Sequence, residues 1–308
     1  MSNKQPLRLP VIQAPMFLIS GPEMVIASCK AGVIGSFPTP NARTIEDLEQ
    51  WLITITEALK GHANAAPWAM NVIMHRSYTR RDKELALAVK YQAPIVISAL
   101  GSPKDAVGKV HAYGGKMYAD VISPTQARKA AQSGVDGLVL VCAGAGGHTG
   151  QLSPFAFIEE VRQFWHGDII VGGGISSGQA VLAAQVMGAD YAYLGTRFIT
   201  TNESMAQDEY KQMIVDSSGD DIVCSDSITG VKANWLKNSL INGGYDIANM
   251  PDASAIDFLK AAGDAKRWKD IWAAGQGVGA ISNITSIANL VDELEREYNT
   301  ALTEVRNV

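Results

Sequence analysis

The sequence predicts an α/β fold, a (β/α)8 TIM barrel carrying a small helical inserted second domain. Three observations predict it. Eight short β-branched runs recur over about 200 residues, each followed by a longer segment of helical pattern. The runs are apolar almost throughout rather than alternating, as parallel strands covered on both faces must be. Glycines cluster at the ends of these runs instead of being spread through polar filler. Eight such units favour a closed barrel over an open doubly wound sheet.

The elements follow in order. The first run, residues 11–16, contains Pro15, which lacks a backbone donor and stops the ladder. The second is 32–37. The connection after it, 38–66, is long enough for a loop and a helix, 46–59, opened by Thr44. The third run, 68–73, holds a polar residue, Asn71, and a helix is expected at 82–91. Runs 94–100 and 116–122 come next. Ser123 is an N-cap with Pro124 at the first position of a helix over 124–133. The last three runs are 137–142, 168–172 and 191–198, with a helix at 177–187 stopped by Gly188.

The pattern then changes. Residues 205–263 offer no convincing buried strand; their best runs, 204–216, 235–241 and 253–262, are helical. The barrel is therefore expected to comprise residues 1–203 and 266–308, and a helical insert residues 204–265. A final helix over 284–305 has apolar positions near 3.6 spacing and would return to the barrel wall.

Composition narrows the function. A net charge of −5, with the two signs interspersed, carries no footprint for nucleic acid. Three widely spaced cysteines fit neither a disulfide framework nor a metal site, which suggests a cytoplasmic setting. No apolar run reaches the roughly 18–20 residues of a membrane span. Metal-ligand spacing is lacking, and His62, His75, His111 and His166 read as surface residues. The pair Arg80 and Arg81 reads as a solvated helix start.

Barrel enzymes place their chemistry at the C-terminal ends of the strands. After the sixth run, Gly144, Gly146, Gly147 and Gly150 surround His148. Histidine exchanges a proton near neutral pH, and glycine lets a planar ring lie against the chain. A flexible turn with an incidental histidine is the competing reading. After the seventh and eighth runs come Gly172, Gly173 and Gly174, then Gly195 and Thr196. These are the usual phosphate-binding loops of such barrels; two tight turns are the alternative. Met16 would sit at the barrel mouth, where a thioether packs on a ring, or else in the core. Asn71 needs partners that a ligand edge or the backbone would supply.

With these residues in view, the chain resembles the nitronate monooxygenases, formerly called 2-nitropropane dioxygenases. The resemblance rests on Ala14, Pro15 and Met16; Asn71; the string Gly146, Gly147, His148, Thr149, Gly150; Gly172 through Ile175; Leu194 through Phe198; and Trp272 through Gln276. It extends to Glu203, Tyr210, Lys211, Thr229, Gly230, Lys237 and Asn238. It implies an FMN barrel in which Ala14 and Met16 flank the flavin, and Asn71 hydrogen-bonds it. Ala145, Gly146 and Gly147 would line it. Gly173, Gly174, Gly195 and Thr196 would hold its phosphate, and Gln276 and Gly277 would reach the ring. His148 matches the catalytic histidine. One departure stands out: where the family carries a lysine near the end of the fifth strand, this chain has Asp120. The implied activity is oxidation of alkyl nitronates, or of nitroalkanes, using O₂. His148 would serve as the base or the nitro-group stabiliser. An FMN-dependent NAD(P)H reductase acting on a quinone or an enoyl thioester is the alternative, and a non-redox phosphate-ligand barrel the third reading. The partners expected are a small-molecule substrate and O₂, with no nucleic acid and no membrane; a homodimer is compatible with the sequence.

Overall fold

The computed structural model describes residues 7–250 and 270–307. Its barrel strands are β1 (Val11–Gln13), β2 (Gly35–Pro38), β3 (Trp68–Ile73), β4 (Ile95–Ala99), β5 (Lys116–Val121) and β6 (Gly137–Val141). After a two-residue strand outside the barrel, β7 (Gly147–His148), come β8 (Asp168–Gly172) and β9 (Tyr191–Leu194). All eight barrel strands are parallel, in the order β1-β9-β8-β6-β5-β4-β3-β2. The bridge between Ile12 and Ile34 joins β1 to β2 and closes the ring. The (β/α)8 architecture is thus the one the apolar runs predict.

Helices α1 (Pro22–Ala31), α2 (Ile45–Leu59), α3 (Arg81–Lys90), α4 (Lys104–His111), α5 (Pro124–Gln132), α6 (Pro154–Arg162) and α7 (Gly178–Val186) alternate with the strands. Thr44 and Asp47 form a reciprocal capping box on α2, and Ser123 caps α5 with Pro124 behind it. Helices α1, α4 and α6 were not individually delimited in the sequence; the apolar positions of α1 and α4 are diluted by Ser, Lys and Gly.

Two cores result. Ile12, Ile34, Ala69, Ile95, Ile97, Tyr118, Val139 and Ile170 point inward and fill the barrel. The opposite faces pack on the helices in a larger cluster around Phe37, Leu48, Val96, Leu138 and Phe198. At the N-terminal end, Asp168 Oδ2 accepts from Lys116 Nζ at 2.7 Å and from Tyr118 OH at 2.8 Å. This charge-assisted plug leaves the other end free for a ligand.

Beyond β9 the chain forms α8 (Thr196–Ile199), α9 (Asp208–Val215), β10 (Ile222–Ser225), β11 (Ala233–Leu236), α10 (Lys237–Asn242) and, at the end, α11 (Ile287–Arg306). Two expectations need correction here. The eighth run is strand only to Leu194, because Thr196 to Ile199 turn helical. The segment read as purely helical contains β10 and β11, and all four residues of β11 are buried. Trp235, read as the start of a helix, lies in β11, and the helix begins at Lys237. These strands escape pattern reading because they are four residues long and pair antiparallel with each other and with β7. The helix expected at 253–262 lies outside the described residues. Arg80 is also not merely solvated: its Nε lies 3.0 Å from the buried Glu84 carboxylate, and its guanidinium donates to Ala42 O and Arg43 O at 2.9 Å each. Among the described residues, no helix is long and apolar enough to cross a membrane.

Helix α11 returns to the barrel as expected and packs on α7 and α1. The α7 contact depends on Gly178. A Cβ there would collide with the Leu294 carbonyl and Tyr298 amide of α11 and lie 2.7 Å from Glu297 Cβ. Gly178 N also donates to Glu297 Oε2 at 2.7 Å. Gly178→Ala is therefore expected to destabilise the fold by about 1–3 kcal/mol, read as a lowered urea midpoint.

Candidate active site at the C-terminal ends of the strands

The loops after β6, β8 and β9 meet a segment that returns after the insert, residues 272–277. The contacts are close because the residues are glycines. A Cβ on Gly146 would lie 2.7 Å from Gly275 N and 3.1 Å from Thr196 Oγ1. Gly275 N donates to Thr196 Oγ1 at 2.9 Å, and Gln276 N donates to Gly144 O at 2.9 Å. A Cβ on Gly277 would meet Ser176 Oγ and lie 2.9 Å from Gly174 O. Four stretches far apart in sequence are thereby sewn together by backbone.

The residues singled out from the sequence fall around this seam. Ala14 and Met16 face Gly195: a Cβ there would lie 3.5 Å from Met16 Sδ and 3.8 Å from Ala14 Cβ. Gly173 and Gly174 adopt φ of 144° and 70°, values that other residues rarely reach, and Gly174 has open space where a side chain would be. Ala145, Gly147, Gly173, Gly195 and Gly277 are half-buried, Gly146, Gly174 and Gln276 exposed, and Thr196 buried. Asn71 sits apart from the seam, across the barrel interior, where its Nδ2 donates to Asp120 Oδ2 at 3.3 Å.

The N-terminus of α7 is already occupied by the Glu297 carboxylate and by Ser177 Oγ, which accepts from Ala180 N at 3.2 Å.

His148 is held by β7, which pairs with β11 so that His148 faces Ala233 and Gly147 faces Asn234. Thr149 N donates to Lys232 O at 3.0 Å, and Thr149 Oγ1 to Cys142 O at 3.0 Å. Asn234, buried, donates from Nδ2 to Ala145 O at 2.7 Å and so fixes the turn before the histidine. Trp235 bridges to Ala273, and Leu236 N donates to Trp272 O at 2.9 Å. Tyr210 stacks on Trp272 with centroids 5.1 Å apart, and its hydroxyl donates to Ala273 O. Strand β11 therefore supports both the histidine and the returning segment. Sequence reading missed Asn234, whose one available signal was an amide between apolar neighbours, the same that marked Asn71; Tyr210 was marked only by the family resemblance. Glu203 caps α11, accepting from Ile287 N at 3.1 Å.

Burial pushes the His148 imidazole down to about 4, so it is uncharged at neutral pH. Burial pushes the Asp120 carboxyl the other way, up to about 7. The Tyr193 phenol, which burial and the nearby Asp120 hold well above its usual range, is neutral too. The mouth thus presents an uncharged base, an acid near its titration point and flexible-backbone loops that suit an anion.

Comparison with known proteins decides the family. A sequence-family model described as nitronate monooxygenase matches residues 1–297. The chain belongs to the nitronate monooxygenase family. A nitronate monooxygenase from Paraburkholderia phytofirmans is 25% identical, with 96% of this chain and 94% of the relative covered. Two solved structures share the fold. FabK from Thermotoga maritima has a TM-score of 0.81 at 22% identity, covering 98% of this chain and 96% of that one. The nitroalkane oxidase from Streptomyces ansochromogenes has a TM-score of 0.80 at 24% identity, covering 96% and 97%. As a member of the nitronate monooxygenase family, the chain is an oxidoreductase.

In this nitronate monooxygenase family member the depressed His148 pKa is also a stability statement. The unfolded chain binds the proton from about 6.5 downward, whereas the folded chain binds it only near 4. The stability that neutral His148 permits is therefore complete above pH 6.5 and lost as pH falls toward 4. His148→Asn is expected to reduce the drop in melting temperature between pH 7 and pH 4.5; an unchanged drop would place the acid sensitivity elsewhere.

Proposed function

We propose that the chain binds FMN at the barrel mouth and oxidises alkyl nitronates, or the parent nitroalkanes, with O₂ as the final acceptor. The observation that carries the reading is an uncharged histidine held on β7, beside a glycine seam that leaves backbone open to a ligand. Membership of the family supports the substrate class.

The residues fit such a cofactor. The left-handed backbone at Gly173 and Gly174, with open space at Gly174, suits a phosphate, and Gly195 with Thr196 adds the neighbouring loop. Met16 offers a polarisable thioether beside Gly195. Ala145, Gly146 and Gly147 give a wall without bulk, and Gln276 and Gly277 come to it from the returning segment. Asn71 and Asp120 supply polar groups toward the C-terminal ends of β3 and β5; the Asp120 Oδ1 atom has no partner among the described residues. When bound, FMN supplies the acceptor for the electron pair that leaves the substrate and the route by which O₂ receives it.

His148 acts on the substrate. As a neutral imidazole it takes a proton from the carbon bearing a nitro group. With a nitronate, which has already lost that proton, its ring N–H donates to the nitro oxygens and stabilises their charge. Its orientation is set by the β7–β11 ladder, so the insert forms the wall behind the histidine.

The test is flavin reduction without O₂. Mixed anaerobically, the yellow protein is expected to bleach rapidly with a nitronate and not with NAD(P)H. The reverse result would make it an NAD(P)H reductase. His148→Ala should retain its flavin and lose about 10²–10⁴-fold in turnover, measured by O₂ consumption; full activity would remove His148 from the mechanism.

A further inference from the structure

Asp120 is the fifth residue of β5, and alternation places its side chain on the inward face with Lys116 and Tyr118. Its carboxyl receives one hydrogen bond among the described residues, from Asn71 Nδ2 to Oδ2 at 3.3 Å. The other oxygen, Oδ1, is enclosed and has no partner among the described residues. The same holds for the Tyr193 hydroxyl, on β9. Tyr193 itself packs beside the glycine seam, since a Cβ on Gly172 would lie 3.2 Å from Tyr193 Cβ.

The groups around Asp120 are uncharged: the Asn71 amide from β3, the Tyr193 phenol from β9 and the Tyr118 phenol below it on β5. Lys116, at the start of β5, is spent on Asp168 at the far end of the barrel. An ionised Asp120 would keep a bare anionic oxygen out of water with a single long amide contact in support. The neutral acid avoids that cost, in line with the raised titration range. A neutral carboxyl, however, has an O–H to donate, and no acceptor among the described residues receives it.

We propose that Asp120 takes part in cofactor binding as a neutral carboxylic acid, donating a hydrogen bond to an acceptor on the pyrimidine edge of FMN. The proposal rests on the FMN reading above. Apart from its one N–H, that edge presents two carbonyl oxygens and an unprotonated ring nitrogen; these accept hydrogen bonds, and a carboxylate facing them would be repelled. The departure from lysine at this position then replaces a fixed cation by a titrating donor. Binding must favour the protonated form of Asp120, and above pH 7 the complex must take up a proton as it forms.

The experiment is calorimetric titration of the flavin-stripped full-length protein with FMN, in buffers of different ionisation heat. At pH 8, where the phosphate of free FMN is already a dianion, close to one proton should enter per FMN bound. Asp120→Asn keeps an N–H donor and cannot titrate, so at that pH it should bind FMN with affinity within about tenfold of wild type and without proton uptake. If that variant does not fold, Asp120→Ser, which also keeps a donor, is expected to show the same absence of uptake. FMN binding at pH 8 with no proton uptake in wild type would overturn the role of Asp120 and leave the FMN reading standing. Equal uptake in wild type and Asp120→Asn would do the same. Failure of the wild-type chain to bind FMN would overturn both.

Discussion

Closure of the parallel sheet is the constraint on which the remaining structure depends. A parallel strand cannot satisfy its backbone groups without neighbours on both sides, and its faces need cover from helices and from other strands. Here β1 is only three residues long, yet it pairs with β9 and reaches β2 through Ile12 and Ile34. Gln13 N donates to Ile34 O at 2.8 Å, and Ile34 N to Val11 O at 3.0 Å. Once that junction forms, no edge remains. The inward side chains fill the ring, and every strand delivers its C-terminal loop to the same end.

Close approach of backbone to backbone builds the site at that end. Gly144, Gly146, Gly275 and Gly277 lie where a Cβ would meet neighbouring main chain or a polar side chain within about 3 Å. These glycines are therefore packing residues as much as lining residues. The seam they form joins the returning segment to the loops after β6, β8 and β9. Strand β11 supports it from behind, pairing with the histidine strand on one edge and bridging to Ala273. The insert is thus more than a cover: it completes the geometry around His148.

Electrostatics differ sharply between the two ends of the barrel. The N-terminal end holds a satisfied pair, Lys116 and Asp168, with the Tyr118 hydroxyl on the same oxygen. The C-terminal end holds His148 and Asp120, whose burial drives their protonation equilibria in opposite directions. Both are uncharged in the mildly acidic range between about pH 4 and about pH 7.

The sequence by itself determined the eightfold barrel and its alternation of strand and helix, though not the short strands of the insert. It could do so because a doubly covered strand must be apolar throughout and a loop that crosses main chain closely must carry glycine. Gly146 and Gly173, where an added Cβ would lie 2.7 Å from neighbouring main chain, are examples of the latter. Tertiary structure alone decided what pairs over long distances. The two-residue strand at Gly147 and His148 has no pattern of its own and exists because Ala233 and Asn234, some 85 residues later, offer it an edge. Arg80 looked solvated until the fold brought the buried Glu84 carboxylate and the carbonyls of Ala42 and Arg43 to it. Whether Asp120 is an anion or an acid likewise depends on what surrounds it, and local sequence carries no record of burial.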